Sequence, residues 1–239
     1  MPETGFVDRS LSHGGVNRRY QVYIPSWHSP ARRWPVILFL HGAGESGRDG
    51  LLPTEVGIGR AIRHHARRFP ALVVFPQALP REGWCDEAAE FAVRVLEAAV
   101  AEFNGDPDRL CLTGLSMGGG GTLCIAAGYP GRFAALAPVC PALSEGSEFD
   151  RVLARALRGT PIWIFQGRLD TDPTAARVRR LVHALASESG RVRYTEYPTL
   201  GHGIWDRAYA EPGLVPWMLA QRRQADPYGR AATARSSTV

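Results

Sequence analysis

The stretch LTGLSMGGGG (112–121) sets one serine between four hydrophobic or small residues and a methionine followed by four glycines. A glycine inside a helix costs about 1 kcal/mol relative to alanine, so such a run marks a constrained place rather than an ordinary helix. RLCLTG (109–114) before it reads as a strand, and TLCIAAGYP (122–130) after it as a helix. Ser116 therefore stands in a sharp strand-to-helix turn. Such a turn strains the backbone at its central residue, and the positions two before and two after it must lack side chains so that strand and helix can approach. Gly114 and Gly118 meet that need, and Gly119, Gly120 and Gly121 let the helix pack closely on its neighbours. By itself a GxSxG pattern among 26 glycines is a weak sign.

Outward from this turn, short β-branched or aromatic runs alternate with longer helical patterns. Strands are expected at 18–25, 35–42, 71–77, 109–114, 134–140, 161–167 and 191–198. The central ones are continuous apolar runs, as strands buried on both faces require. Between them DEAAEFAVRVLEAAVAEF (86–103) returns Phe91, Val95, Leu96, Ala99 and Phe103 at helical spacing behind an acidic start. The alternation predicts an α/β fold: a mostly parallel sheet with helices on both faces. A single domain over 1–223 is expected, with 224–239 a mobile tail that has little to bury.

Composition is that of a globular chain: 239 residues, 45% hydrophobic and 21% charged. No apolar run approaches the roughly 20 residues of a membrane span. The first residues carry Glu3 and Asp8 and lack the apolar core of a signal peptide, which reads as cytoplasmic, although a leader replaced by Met1 would look the same. Cys85, Cys111, Cys124 and Cys140 share no CxxC spacing, and a reducing compartment fits them. The net charge is +5, and all 28 basic residues are arginines. Their densest cluster, RAIRHHARR (60–68), fits a solvated helix face with Ile62 and Phe69 inward better than a nucleic-acid surface. Neither HExxH nor paired CxxC occurs, so no metal and no cofactor is expected.

A serine hydroxyl is a poor nucleophile unaided and needs a base held by an acid. In a sheet of this kind both would follow the serine along the chain, each after a later strand. IFQGRLDTDP (164–173) places Asp170 just past one strand, and YPTLGHGIWD (197–206) places His202 just past the last. Asp172 and Asp206 compete with Asp170 for the acid. Asp172, with Pro173 after it, also reads as a helix N-cap. GAGESG (42–47) matches the dinucleotide-binding glycine pattern, but Gly50 and Pro53 interrupt the helix that pattern needs, and no acidic residue stands where the ribose would be read.

FLHGAGESG (39–47), DPDRLCLTGLSMGGGGT (106–122), IFQGRLDTDP (164–173) and YTEYPTLGHGIWD (194–206) together resemble the α/β-hydrolase serine esterases. Within these the chain is similar to a small group of feruloyl-type carboxylesterases, polyhydroxyalkanoate-depolymerase-like enzymes and predicted peptidases. The resemblance spans about residues 18–221. It departs at Gln166, where relatives commonly have histidine, and at Leu123, where many have tryptophan.

The resemblance implies an α/β-hydrolase fold with a minimal lid and a catalytic set of Ser116, Asp170 and His202, the family spacing selecting Asp170. The backbone N–H groups of Ala43 and Met117 would form the oxyanion hole, with His41 shaping its loop. Trp205, three residues after His202, is expected to bind substrate. Trp84 is open between that role and capping the core. The implied activity is hydrolysis of short-chain or hydroxycinnamoyl-type carboxylic esters through an acyl-enzyme, with a small-molecule ester as partner. A peptidase or acyl-peptide hydrolase on the same residues is the alternative within enzymes. A ligand-binding or scaffold protein with a slow triad is the alternative outside them.

Overall fold

Seven consecutive residues, Trp34–Leu40, hold no exposed side chain, and this strand runs through the middle of the molecule. The computed structural model describes residues 3–144 and 146–223, so the tail expected over 224–239 lies outside the described residues. One sheet contains β1 (Gly5–His13), β2 (Val16–Ile24), β3 (Trp34–Leu40), β4 (Leu72–Pro76), β5 (Gly105–Leu115), β6 (Ala135–Val139), β7 (Ile162–Gly167) and β8 (Val192–Tyr197). Its spatial order is β1-β2-β4-β3-β5-β6-β7-β8. The β1–β2 and β2–β4 pairs are antiparallel, and every pair from β4 to β8 is parallel.

Side chains alternate across a strand, and β3 shows what that builds. Val36, Leu38 and Leu40 face one core with Phe91, Val95 and Leu96 of α2 (Asp86–Glu102) and Leu123 of α3 (Met117–Gly128). The same core takes Leu153 of α4 (Ser147–Ala156) and Val178 of α5 (Ala175–Ser189). Ile37 and Phe39 face a second core with Ile58 and Ile62 of α1 (Gly57–His65), Tyr209 of α6 (Trp205–Ala210) and Leu214 of α7 (Leu214–Ala220). Helices thus cover both faces. Among the described residues no helix is long and apolar enough to cross a membrane.

The sheet has one more strand than the seven expected. β1 is half-exposed, with only Val7 and His13 buried, so it lacks the apolar run that marks the central strands. Its signal is instead the Gly14-Gly15 turn, both residues at positive φ (57° and 74°), which closes a tight hairpin onto β2. β5 also starts earlier than residue 109. It pairs Gly105 with Trp34 and then shifts register to pair Leu110 with Val36, which accommodates Pro107.

The basic cluster lies on an exposed helix face, as expected, and several of its arginines pair within the chain. Arg60 pairs with Asp206 at 3.2 Å, Arg63 with Glu55 at 2.8 Å, and Arg68 donates to the carbonyls of Ala210 and Glu211. Ile62 and Phe69 are buried. These contacts make the cluster a clasp between α1 and the segment around α6.

The glycines after Ser116 each meet a different neighbour. A Cβ on Gly114 would overlap the carbonyl of Gly118, and one on Gly118 would overlap that of Leu40. On Gly119 it would lie 2.6 Å from Val139 O, on Gly120 it would strike Ala142 O, and on Gly121 the Cβ of Trp84. Gly128, at the far end of α3, faces open space. Gly118→Ala should therefore destabilise the protein by about 2 kcal/mol or more, whereas Gly128→Ala should be neutral or stabilise by up to about 1 kcal/mol. Urea unfolding of both variants checks this, and equal midpoints would contradict the close approach.

Candidate active site

β5 ends at Leu115 and α3 begins at Met117, so Ser116 alone makes the turn, with φ 53° and ψ −116°. Few non-glycine residues adopt positive φ, and holding one there costs about 1–3 kcal/mol unless the surroundings over-determine it. Here they do. Ser116 N–H donates to Val139 O at 2.9 Å, and Ser116 O accepts from Gly120 N at 3.1 Å and Ala142 N at 3.0 Å. A serine before a helix commonly caps it with its own hydroxyl, but this one makes no capping bond. Its Oγ lies 2.9 Å from His202 Nε2.

His202 sits in the loop after β8, and its Nδ1 lies 2.8 Å from Asp170 Oδ2. The loop after β7 carries Asp170 and is bonded directly to that of His202: Leu169 N–H donates to Leu200 O at 2.9 Å and Arg168 N–H to Tyr197 O at 3.0 Å. Gly167 permits the approach, because a Cβ there would overlap Gly201 O. The Asp170 side chain is only 1% exposed while that of His202 is 35% exposed, so the acid is sealed in and the imidazole opens to solvent. An ionised carboxylate only accepts, which places the Nδ1 proton between the two and leaves Nε2 to accept from the serine.

Asp170 has two further partners. Gln166 Nε2 donates to its Oδ2 at 2.9 Å and to Pro173 O at 3.0 Å, and Asp172 N–H donates to its Oδ1 at 3.1 Å. In the sequence Gln166 is only a departure from the histidine common in relatives. Its position four residues before Asp170, at the end of a buried strand, is the signal that identifies it as the acid's support. Asp172 does not cap α5: Thr174 does, accepting from Arg177 N at 3.2 Å, and the helix begins two residues later than the Asp172-Pro173 pair suggests. Asp206 is exposed and paired with Arg60.

The loop after β3 is held from beneath. His41 is fully buried; Ala78 N–H donates to its Nε2 at 3.0 Å, so its proton is on Nδ1 and is given to Gly42 O at 2.6 Å. Burial lowers its pKa to about 4. Gly42 N–H is taken up by Glu45 Oε2 at 2.9 Å. Among the described residues no acceptor is bonded to the N–H of Ala43 or to that of Met117, the first residue of α3. This loop forms a short 3-10 turn over Ala43–Glu45 and no α-helix, unlike a dinucleotide-binding loop.

The two tryptophans differ. Trp84 is 1% exposed, donates from Nε1 to His41 O at 2.9 Å and meets the His41 ring edge-on at 4.9 Å. It holds the loop up from below and, buried as it is, stands on the core side of the two alternatives left open for it. Trp205 is half-buried and stands edge-on to the His202 ring at 5.8 Å. Leu169 and Leu200, on the loops of Asp170 and His202, are exposed.

Cys140 joins Asp170 and His202 in a group whose polar atoms lie within 4.8 Å of one another. Burial pushes its thiol up to about 12, and its Sγ donates to His202 O at 3.0 Å. A neutral thiol is a poor metal ligand, and the other two side chains are bonded to each other. The group serves as a support for the His202 loop.

A family model named Esterase, described as "Putative esterase", matches residues 13–226. Among solved structures a thermostable esterase is 28% identical with a TM-score of 0.79, over 91% of this chain and 63% of that one. This chain thus spans a little under two thirds of that protein's length. A mutant feruloyl esterase module from Clostridium thermocellum, complexed with sinapinate, has a TM-score of 0.74 at 14% identity over 92% of this chain and 89% of the module. Thermogutta terrifontis esterase 2, phosphorylated by paraoxon, has 0.68 at 21% over 92% and 97%. Both share the fold. No curated protein matches in sequence. With the eight-stranded, mostly parallel sheet and its two helical layers, these matches place the chain in the esterase family, with the α/β-hydrolase fold.

Proposed function

We propose that this chain is a serine carboxylesterase acting on short-chain or aromatic, hydroxycinnamoyl-type esters through an acyl-enzyme. The observation that carries this reading is the unbroken hydrogen-bonded line from Asp170 through His202 to Ser116, at 2.8 and 2.9 Å, on a serine freed from capping its own helix. Ser116 Oγ attacks the ester carbonyl as its proton passes to His202 Nε2, and Asp170 stabilises the imidazolium. The carbonyl oxygen becomes negative between the N–H groups of Ala43 and Met117, the second of which also lies at the positive end of α3. His202 returns the proton to the leaving alcohol, and water repeats the sequence on the acyl-enzyme.

Substrate size follows from what surrounds the base. Trp205, Leu169 and Leu200 supply apolar surface beside His202. Between β6 and β7 the one helix among the described residues is α4, of ten residues, which stands where a lid would be. It is anchored: Arg177 of α5 grips Asp150 of α4 through two bonds of 2.7 and 3.0 Å, both side chains buried, and donates to Ser144 O. An open cleft covers few methylenes, each worth about 0.8 kcal/mol, while one aromatic ring can rest on Trp205.

The decisive experiment compares purified wild type with variants on p-nitrophenyl acetate, butyrate and palmitate and on methyl ferulate. Ser116→Ala should lower kcat by about 10⁴-fold with folding intact. Asp170→Asn should cost more than about 10²-fold and Asp172→Asn less than about tenfold, since only the first removes the group that orients the imidazole. Wild-type kcat/KM should peak at the short esters and show no jump on emulsification. Near-normal turnover by Ser116→Ala, or a palmitate optimum, would overturn the reading.

The support under Ala43 makes a separate expectation about pH. The His41 pKa falls from 6.5 to about 4 on folding, so the unfolded chain binds a proton that the folded one refuses. Its contribution to stability is whole above about pH 6.5 and is lost as pH falls towards 4. The loss is on the order of 3 kcal/mol. Urea midpoints at pH 7 and pH 4.5 should diverge more for wild type than for His41→Gln, and parallel behaviour would contradict a buried neutral imidazole.

A further inference from the structure

Cys85 and Cys124 lie 39 residues apart in sequence, yet their Sγ atoms are 3.2 Å apart and both residues are exposed. Cys85 is the residue before α2, and Cys124 lies within α3, so the contact joins two elements that no CxxC motif links. The other two cysteines, Cys111 and Cys140, are buried. Sulfurs in a disulfide are about 2.05 Å apart. The two thiols therefore need to close by little more than 1 Å.

We propose that Cys85 and Cys124 form a reversible dithiol–disulfide pair, closed by a small-molecule disulfide such as oxidised glutathione. The Cys85 thiolate attacks one sulfur of the oxidant, forming a mixed disulfide and releasing one glutathione thiolate. Cys124 then attacks the Cys85 sulfur, the protein disulfide forms, and the second glutathione leaves. The two protein thiols lose two protons and two electrons, and the oxidant becomes two molecules of glutathione thiol. Although Cys124 as a residue is exposed, partial burial of its thiol, and after it the neighbouring Cys85, push that thiol up to about 12. Cys85 stands in the turn before α2 rather than within a helix, and attack in the opposite order gives the same products.

The bond has a structural consequence because of its neighbours. Trp84, adjacent to Cys85, holds His41 O, and its Cβ presses on Gly121, three residues before Cys124. A Cys85–Cys124 disulfide staples this junction between α3, which begins beside Ser116, and the loop of Ala43.

The test treats the full chain with excess oxidised glutathione and follows intact mass, free thiols, linked peptides and thermal unfolding. Wild type should lose two of its four thiols and two hydrogen atoms of mass, and yield a Cys85–Cys124 peptide pair. Its unfolding midpoint should rise by about 5 °C. Dithiothreitol should reverse all of these. Cys124→Ser should instead retain one glutathione on Cys85. A lasting glutathione adduct on wild type, four free thiols after prolonged oxidation, or a linked pair without a rise in midpoint would each overturn the proposal.

Discussion

The left-handed backbone at Ser116 is the constraint on which the rest of the structure depends. A conformation worth about 1–3 kcal/mol of strain persists because Val139, Gly120 and Ala142 occupy its backbone groups and because Gly114 and Gly118 let β5, α3 and β3 meet without intervening side chains. The strain has a return. It lifts the hydroxyl off the end of α3, where a relaxed serine would spend it on a cap, and presents it to His202. The same turn leaves Met117 N–H without an acceptor among the described residues.

Around this turn the parallel sheet delivers its other groups by one rule: each comes from a loop at the carboxyl end of a strand. β3 delivers the loop of Ala43, β7 that of Asp170 and β8 that of His202. Adjacent parallel strands bring adjacent loops together, and Gly167 lets those of β7 and β8 close to direct backbone bonding. Beneath them lies buried polar matter with its bonds largely made: His41 on Gly42 and Ala78, Gln166 on Asp170 and Pro173, Trp84 on His41. Gln166 Oε1 is buried without a hydrogen-bond partner among the described residues, a cost that the interior network bears. Its members are spread over loops far apart in sequence, so each position depends on the fold being complete.

Much of this was legible beforehand, for physical reasons that differ by element. The central strands could be read because burial on both faces forces a continuous apolar run, and the turn because only glycine tolerates the backbone contacts on either side of Ser116. Asp170 and His202 stood out by their places after late strands, and the structure brings both to the serine. β1 did not stand out: an edge strand needs few apolar residues, and its marker was the Gly14-Gly15 hairpin turn. Trp84 was ambiguous because a tryptophan beside a functional loop reads alike whether it faces the cleft or the core. Gln166 showed in the sequence only as a departure, although its place four residues before Asp170 carries the signal, and the meeting of Cys85 with Cys124 was invisible because a pairing 39 residues apart leaves no trace in spacing.

The central claim, that this geometry makes Ser116 a nucleophile, is tested most directly by phosphorylation with paraoxon followed by intact mass and peptide mapping. The account predicts one diethylphosphoryl group per chain, on Ser116, with ester hydrolysis lost in step with labelling and labelling slowed severely in His202→Ala. Hydrolysis that persists in fully labelled protein, or a label that maps to another residue, would contradict it.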